Sequence, residues 1–272
     1  MQRTEMRNPN TTHIDKMSTF DMVKTMNNEN KTVTDAVDKA LDKIAQAVDA
    51  AANALENGGR IIYIGAGTSG RLGVIDASEC PPTFGVEPDV VVGIIAGGLQ
   101  AMTRAAESVE DNEAEGIKSV EEIGINKNDI LVGISAAGNA AYVIGAIEKA
   151  KSVGAVTVGL VCNEGCKIEA AADIAIVVDT GPEVITGSTR LKAGTSQKLV
   201  LNMISTGAMI RTGKVYENLM INVRPVNKKL HKRCVGIIRE ITGVDEARAY
   251  EELEKADNSI RKAIENIKGE LK

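Results

Sequence analysis

From Lys31 to Leu55 the chain reads "KTVTDAVDKALDKIAQAVDAAANAL", and its apolar residues recur at intervals of three and four. Val33, Ala36, Val37, Ala40, Leu41, Ile44 and Val48 share one face, which predicts a single long amphipathic helix. The period then changes. Five short runs follow, "IIYIGAG" (61–67), "VVVGIIAGG" (90–98), "ILVGISAAG" (130–138), "VTVGLVCNEG" (156–165) and "IAIVVDTG" (174–181), each apolar on both faces and each leading into a small, polar loop. Strands of that kind belong in a parallel sheet covered by helices on both sides. The segments between them are long enough for right-handed crossover helices, so the pattern predicts a doubly wound α/β sandwich with its ligand edge at the strands' carboxyl ends.

Beyond Thr186 the strand pattern stops. "RLKAGTSQKLVLNMISTGAMIRTG" predicts a long helix, and everything from Val226 on reads as helical, with a stop at Gly243 and caps at Asp245 and Asp257. Three parts are expected: an N-terminal arm and helix (1–55), a sheet domain (56–224) and a small all-helical unit (225–272).

Composition narrows the function. A chain of 272 residues, 43% hydrophobic and 25% charged, can bury a sizeable core without disulfides or metal. No apolar run approaches the roughly 20 residues of a membrane span. The opening "MQRTEMRNPNTTHIDKM" mixes acids with bases and resembles neither a secretory nor a transit segment, so a cytoplasmic location is expected. A net charge of -5 and the absence of Trp argue against nucleic acid. Cys80, Cys162, Cys166 and Cys234 form no disulfide framework, and the C-x-x-x-C spacing of "CNEGC" completes no zinc shell, so reduced thiols and no metal are expected.

The first loop carries the most chemistry. "RIIYIGAGTSGRLG" holds a G-x-G-x-x-G in Gly65, Gly67 and Gly70, between a strand and a helix. A dinucleotide site also needs a carboxylate at the end of the second strand, and the nearest by count, Asp89, stands at that strand's start. No nicotinamide cofactor is therefore expected. Thr68 and Ser69 instead offer hydroxyls where a helix begins, beside Gly67 and Gly70, and Arg71 adds positive charge. Those groups suit a phosphate monoester; a plain helix cap is the competing reading of Thr68 and Ser69. A second loop, "GISAAGNAAYV", brings Ser135, Gly138 and Asn139 to the same edge.

Only two histidines occur, His13 and His231, both away from the predicted sheet, so acid–base work falls to carboxylates. Glu79, in "DASECPP", lies beside Cys80 and two prolines, a stiff, apolar setting suited to a general acid that keeps its proton. Glu110, in "ESVEDNEAEG", sits in an acidic cluster that charge pattern alone would read as a solvated face. With a helix from Ser69 to about Ala77, Glu79 falls about 15 Å along the axis from the first loop, farther than a sugar phosphate reaches. Either the "ECPP" turn folds back, or Glu79 serves a neighbouring subunit's pocket, and a homodimer with sites near its interface is expected.

"IIYIGAGTSGRLGVIDASECPPTF", "GIIAGG", "ESVEDN", "GPEVITGSTRLKAGTSQKLVLNMIST" and "GKVYENLMINV" together resemble the N-acetylmuramic acid 6-phosphate etherases, lyases built on a sugar isomerase (SIS) domain. The resemblance runs from about Arg7 to the end of the chain. It implies a five-stranded SIS sandwich with a small UBA-like helical unit, a homodimer, a sugar-phosphate substrate, and cleavage of the lactyl ether to N-acetylglucosamine 6-phosphate and D-lactate. By the same resemblance Glu79 matches the catalytic acid and Glu110 the second catalytic carboxylate. Glu183, Ser188 and Thr189, in "GPEVITGST", then line the same pocket, unless they serve only to cap a helix and shape a loop. The family's second loop usually reads "ASGRTPYV"; here Ala137, Asn139, Ala140 and Ala141 remove two hydroxyls and a cation, which bears on phosphate affinity and substrate choice. Two rival expectations remain: a non-catalytic sugar-phosphate sensor, as SIS domains such as that of a glucokinase regulatory protein supply, and an aldose–ketose isomerase using the same C2 proton.

Overall fold

A computed structural model describes residues 2–104, 109–223, 225 and 228–269. The chain separates into two compact units, Met1–Ser78 with Asp89–Ala208, and Glu79–Pro88 with Met209–Lys272.

The first unit holds all five expected strands: β1 (Ile61–Gly65), β2 (Val91–Ile95), β3 (Ile130–Ser135), β4 (Val156–Val161) and β5 (Ile174–Val177). All pair in parallel, in the order β2-β1-β3-β4-β5. Successive side chains alternate between faces. Ile62, Ile64 and Leu131 pack with Tyr142, Val143, Ala146 and Ile147 of the helix that follows β3. Tyr63 points to the other face, where its hydroxyl donates to the carbonyl of Leu201 at 3.4 Å.

The expected single N-terminal helix is two: α1 (Thr19–Asp38) and α2 (Leu41–Glu56), broken at Lys39–Ala40. Ser18 caps α1 by accepting from the Asp21 N–H, an upstream start that the Asn-rich "TMNNENK" stretch hides. The crossovers are α3 (Gly67–Phe84), α4 (Glu113–Glu122), α5 (Ala141–Ser152) and α6 (Lys167–Ala171), and α7 (Lys192–Arg211) follows the sheet. Helix α3 outruns the expected stop near Ala77, carrying Glu79, Cys80, Pro81 and Pro82 inside it. The two prolines supply no N–H to the turn before them, and the Thr83 hydroxyl donates to the Glu79 carbonyl at 2.8 Å.

In the second unit α8 (Lys228–Thr242), α9 (Glu246–Lys255) and α10 (Ile260–Lys268) surround Cys234, Ile238, Ala249, Leu253, Ile260 and Ile264. Asp245 caps α9 as expected, accepting from the Arg248 N–H at 2.8 Å. The cap of α10 is Ser259 rather than Asp257, which takes a left-handed φ of 53° in the turn before it. No helix among the described residues is long and apolar enough to cross a membrane.

Candidate active site at the carboxyl edge of the sheet

The strand order reverses at β1, with β2 on one side and β3 on the other. In an open sheet that reversal leaves a crevice between the loops leaving β1 and β3, the usual ligand position. Gly65 pairs with Ile134, so the first and second loops leave the sheet side by side.

Two glycines of the first loop are there for contact. A β-carbon on Gly70 would lie 2.5 Å from the Gly65 carbonyl oxygen and 2.8 Å from Ile95 Cγ1, so only glycine lets α3 start this close to the sheet. Gly67 adopts φ 54°, turning the chain from strand into helix. The first-turn N–H groups and positive dipole end of α3 consequently sit at the crevice. Thr68 and Ser69 are the hydroxyls at this end. Ser69 is buried and its Oγ donates to Oε1 of Gln197, on α7, at 3.0 Å. Thr68 stands beside α7 as well, its Cγ2 3.4 Å from where a β-carbon on Gly194 would be.

Arg71 does more than add charge. Its Nε and Nη2 donate to the carbonyls of Met102 and Arg104, both at 3.2 Å, tying the loop after β2 to the first turns of α3. That loop leads to Glu110, which lies exposed on a short 3-10 turn, Val109–Asp111. Val109 packs into the core beside Tyr142 of α5, the helix that follows the second loop. Val109 and Asn112 also line a cavity of about 770 Å³ with Ile94, Gly97, Gly98 and Tyr142.

The second loop spends its polar side chains on itself and on α6. Ser135 Oγ accepts from the Gly138 N–H at 3.0 Å, and Asn139 Oδ1 accepts from the Lys167 N–H at 3.1 Å, at the start of α6. Gly138 has φ 77°, and a β-carbon on it would stand 2.3 Å from Cys166 Sγ. The loop's shape is thus fixed without a ligand.

Glu183 is fully buried, and its two carboxylate oxygens accept the N–H groups of Lys192 and Ala193, both at 3.0 Å. It is the anion at the N-terminus of α7. Ser188 and Thr189 are half-buried in the loop before α7, where the Thr189 carbonyl accepts from the Gly194 N–H at 3.0 Å. Gly194 therefore joins the first loop to the 187–191 loop.

Glu79 is exposed on α3, with Cys80 buried beside it. The apolar turn expected around Glu79 is a helix, so the chain does not fold back there.

An N-terminal arm was expected, but not its attachment to the ligand edge. Gln2 donates to the Ala137 carbonyl at 3.0 Å, Arg3 pairs with Asp179, and Thr11 donates to the Val184 carbonyl at 2.8 Å. Asn163, after β4, donates to both Thr4 Oγ1 and the Ala136 carbonyl at 3.0 Å. The arm thereby straps the loops after β3, β4 and β5. Gln197 was also missed; its signal was two adjacent polar residues, Ser196 and Gln197, on a buried stretch of α7 between Ala193 and Val200. Among the described residues no group of three or more His, Cys, Asp or Glu side chains could hold a metal ion.

These features define a SIS-type fold, and solved structures share it. Phosphoheptose isomerase GmhA from Neisseria gonorrhoeae superposes with a TM-score of 0.54 at 21% identity, over 70% of this chain and 98% of that one. A phosphoheptose isomerase from Francisella tularensis gives 0.53 at 21%, over 71% and 100%. The family described as "Glucokinase regulatory protein N-terminal SIS domain" matches residues 43–151.

The chain belongs to the N-acetylmuramic acid 6-phosphate etherase family. It is 53% identical to the Lactobacillus gasseri protein of that name across 97% of this chain and 89% of the relative. With the Caldanaerobacter subterraneus subsp. tengcongensis protein it shares 51% across 98% and 88%.

Proposed function

We propose that the protein is an N-acetylmuramic acid 6-phosphate etherase, a cytoplasmic carbon–oxygen lyase that works without a cofactor. The observation that carries the reading is the anion cradle at the β1/β3 crevice, with Arg71 tying to it the loop that leads to Glu110, in a chain 53% identical to a named etherase. The 6-phosphate rests at the α3 N-terminus among Thr68, Ser69 and Arg71, with Ser135 and Gly138 of the second loop beside it.

In the open-chain sugar the C2 hydrogen is α to the C1 aldehyde and therefore acidic. Glu110 takes that proton, the C2 electron pair forms the C2–C3 double bond, and the C3–O bond breaks toward oxygen. Glu79 protonates the departing oxygen, releasing D-lactate. Glu79 then takes a proton from the incoming water, whose oxygen adds to C3 of the enal, and Glu110 returns its proton to C2. Each carboxyl ends as it began.

Glu79 acts, on this reading, in the pocket of a second subunit. The exposure of Glu79 supports it, because an acid that must not exchange freely with water needs a cover, and a second subunit would give one. The three-helix unit, read as UBA-like, is the third part of the domain scheme.

The test is D-lactate release from N-acetylmuramic acid 6-phosphate by wild type and by Glu79→Gln. Release by wild type and at least a hundredfold loss in the variant are expected, the scale of one general acid. A wild type that binds hexose phosphates tightly and releases nothing is instead a sensor, the reading favoured by a second loop whose polar groups are internally engaged.

A further inference from the structure

We infer that Gln197 is a ligand-binding residue of the α3 cradle, its carboxamide nitrogen donating to an anionic oxygen of the bound phosphate. For the ligand's identity the inference rests on the etherase reading; for the anion site it rests on the geometry alone.

Three observations converge. The N-terminus of α3, an 18-residue helix, opens at the crevice. Gln197 lies against it, 1% exposed, with Oε1 accepting from Ser69 Oγ at 3.0 Å. Its Nε2, bearing two N–H donors, is buried and has no partner among the described residues.

Packing gives no reason for such a group. Its neighbours along α7, Ala193, Val200, Leu201 and Ile204, are buried and apolar; pairing with Ser69 accounts for Oε1 but gives Nε2 no group to meet among the described residues. Buried donors are rarely left unpaired in native proteins. The serine bond also fixes where the donor lies: the amide nitrogen is about 2.3 Å from its own oxygen by covalent geometry, hence within about 5.3 Å of Ser69 Oγ. One phosphate oxygen spans that gap, meeting Gln197 on one side and the α3 N–H groups on the other. With Ser69 donating to Gln197, the amide carries the donor function that the serine hydroxyl has given up.

The experiment compares wild type with Gln197→Met, which keeps the length and removes the donors, and Gln197→Glu, which keeps the shape and replaces donors by an anion. Inorganic phosphate is the probe, titrated by calorimetry, beside KM and kcat for N-acetylmuramic acid 6-phosphate. Gln197→Met should weaken phosphate binding and raise KM by about tenfold, the scale of one hydrogen bond to a charged group, with kcat within about threefold. Its melting temperature should change little, since the unpaired Nε2 goes together with the Oε1 that accepts from Ser69. Gln197→Glu should abolish measurable phosphate binding, and it decides the matter if Gln197→Met does not fold. Phosphate affinity within twofold of wild type in either folded variant overturns the inference, as does a wild type that binds no phosphate. If wild type binds phosphate, Gln197→Met weakens that binding and no lactate is released, the inference stands and the etherase reading falls.

Discussion

Lys192 Nζ lies 2.9 Å from Oε2 of Glu29, and the two side chains are 3% and 8% exposed. Asn8 and Asn10, from the N-terminal arm, donate to the same carboxylate at 2.7 and 2.8 Å. The pair thus joins α1, the arm and the start of α7. Removing one member leaves the other charged and dry, at a cost of about 3–5 kcal/mol, whereas an apolar pair of similar volume is close to neutral. Lys192→Met alone should therefore lower the urea midpoint sharply, and Glu29→Leu with Lys192→Met should recover most of the loss. Equal destabilisation in the single and double variants would contradict this account.

The same carboxylate gives stability a pH dependence. Burial pushes Glu29 up, but the hydrogen bonds from Asn10, Lys192 and Asn8 and the lysine charge outweigh it and hold the group below its ordinary 4.5. Asp173 follows the same logic: burial opposes ionisation, and bonds from Thr157 and Lys151 prevail. A carboxyl lowered on folding contributes its stability above the unfolded pKa and loses it as pH falls through the folded value. Unfolding free energy should fall as pH drops below the ordinary carboxyl values of 4.5 and 3.8, and the slope there should be shallower in Glu29→Gln, as read from urea titrations at several pH values.

Cys162 should be chemically silent. Burial pushes its thiol up to about 12, and Cys234 rises for the same reason to about 11. The thiolate is the reactive form. At pH 8 the native protein should react with a thiol reagent at these two positions only as fast as it opens, and mild denaturant should accelerate labelling in step with unfolding. Rapid labelling of Cys162 in the native state would show that the β4 end is open to water.

Deleting residues 2–12 should loosen the ligand edge without dissolving the sheet. The arm's bonds to Ala137, Asn163, Asp179 and Val184 go, while β1, β3 and β4 keep every ladder bond. Amide exchange should rise at residues 136–140 and 179–184 and stay slow in the strands. Uniformly faster exchange would mean that the arm supports the whole fold.

The sheet was legible because a strand buried on both faces leaves an unbroken apolar run, and β1, β3 and β4 are such runs. The first loop was legible because glycine at Gly67 and Gly70 answers a local backbone need. Helix α3 was misread because proline is a local stop signal, and nothing local in "SECPPTF" announces that the Thr83 hydroxyl donates to the Glu79 carbonyl. Glu183 was ambiguous for a related reason: a carboxylate before a helix serves sugar or helix equally well in sequence, and its two bonds to Lys192 and Ala193 appear only in the fold. The arm's attachment was invisible because its partners lie about 135 to 176 residues away, a distance no periodicity spans.

That separation has a consequence for biosynthesis. The arm leaves the ribosome before the sheet, yet Asp179, Pro182 and Val184, to which it fastens, are made only after β5. Pairings so remote in the chain form late, because their loop-closure entropy is met only once the intervening sheet exists. The strap is therefore a closing stitch, and a nascent chain that has not yet made β5 would hold the first loop under an unfastened cover.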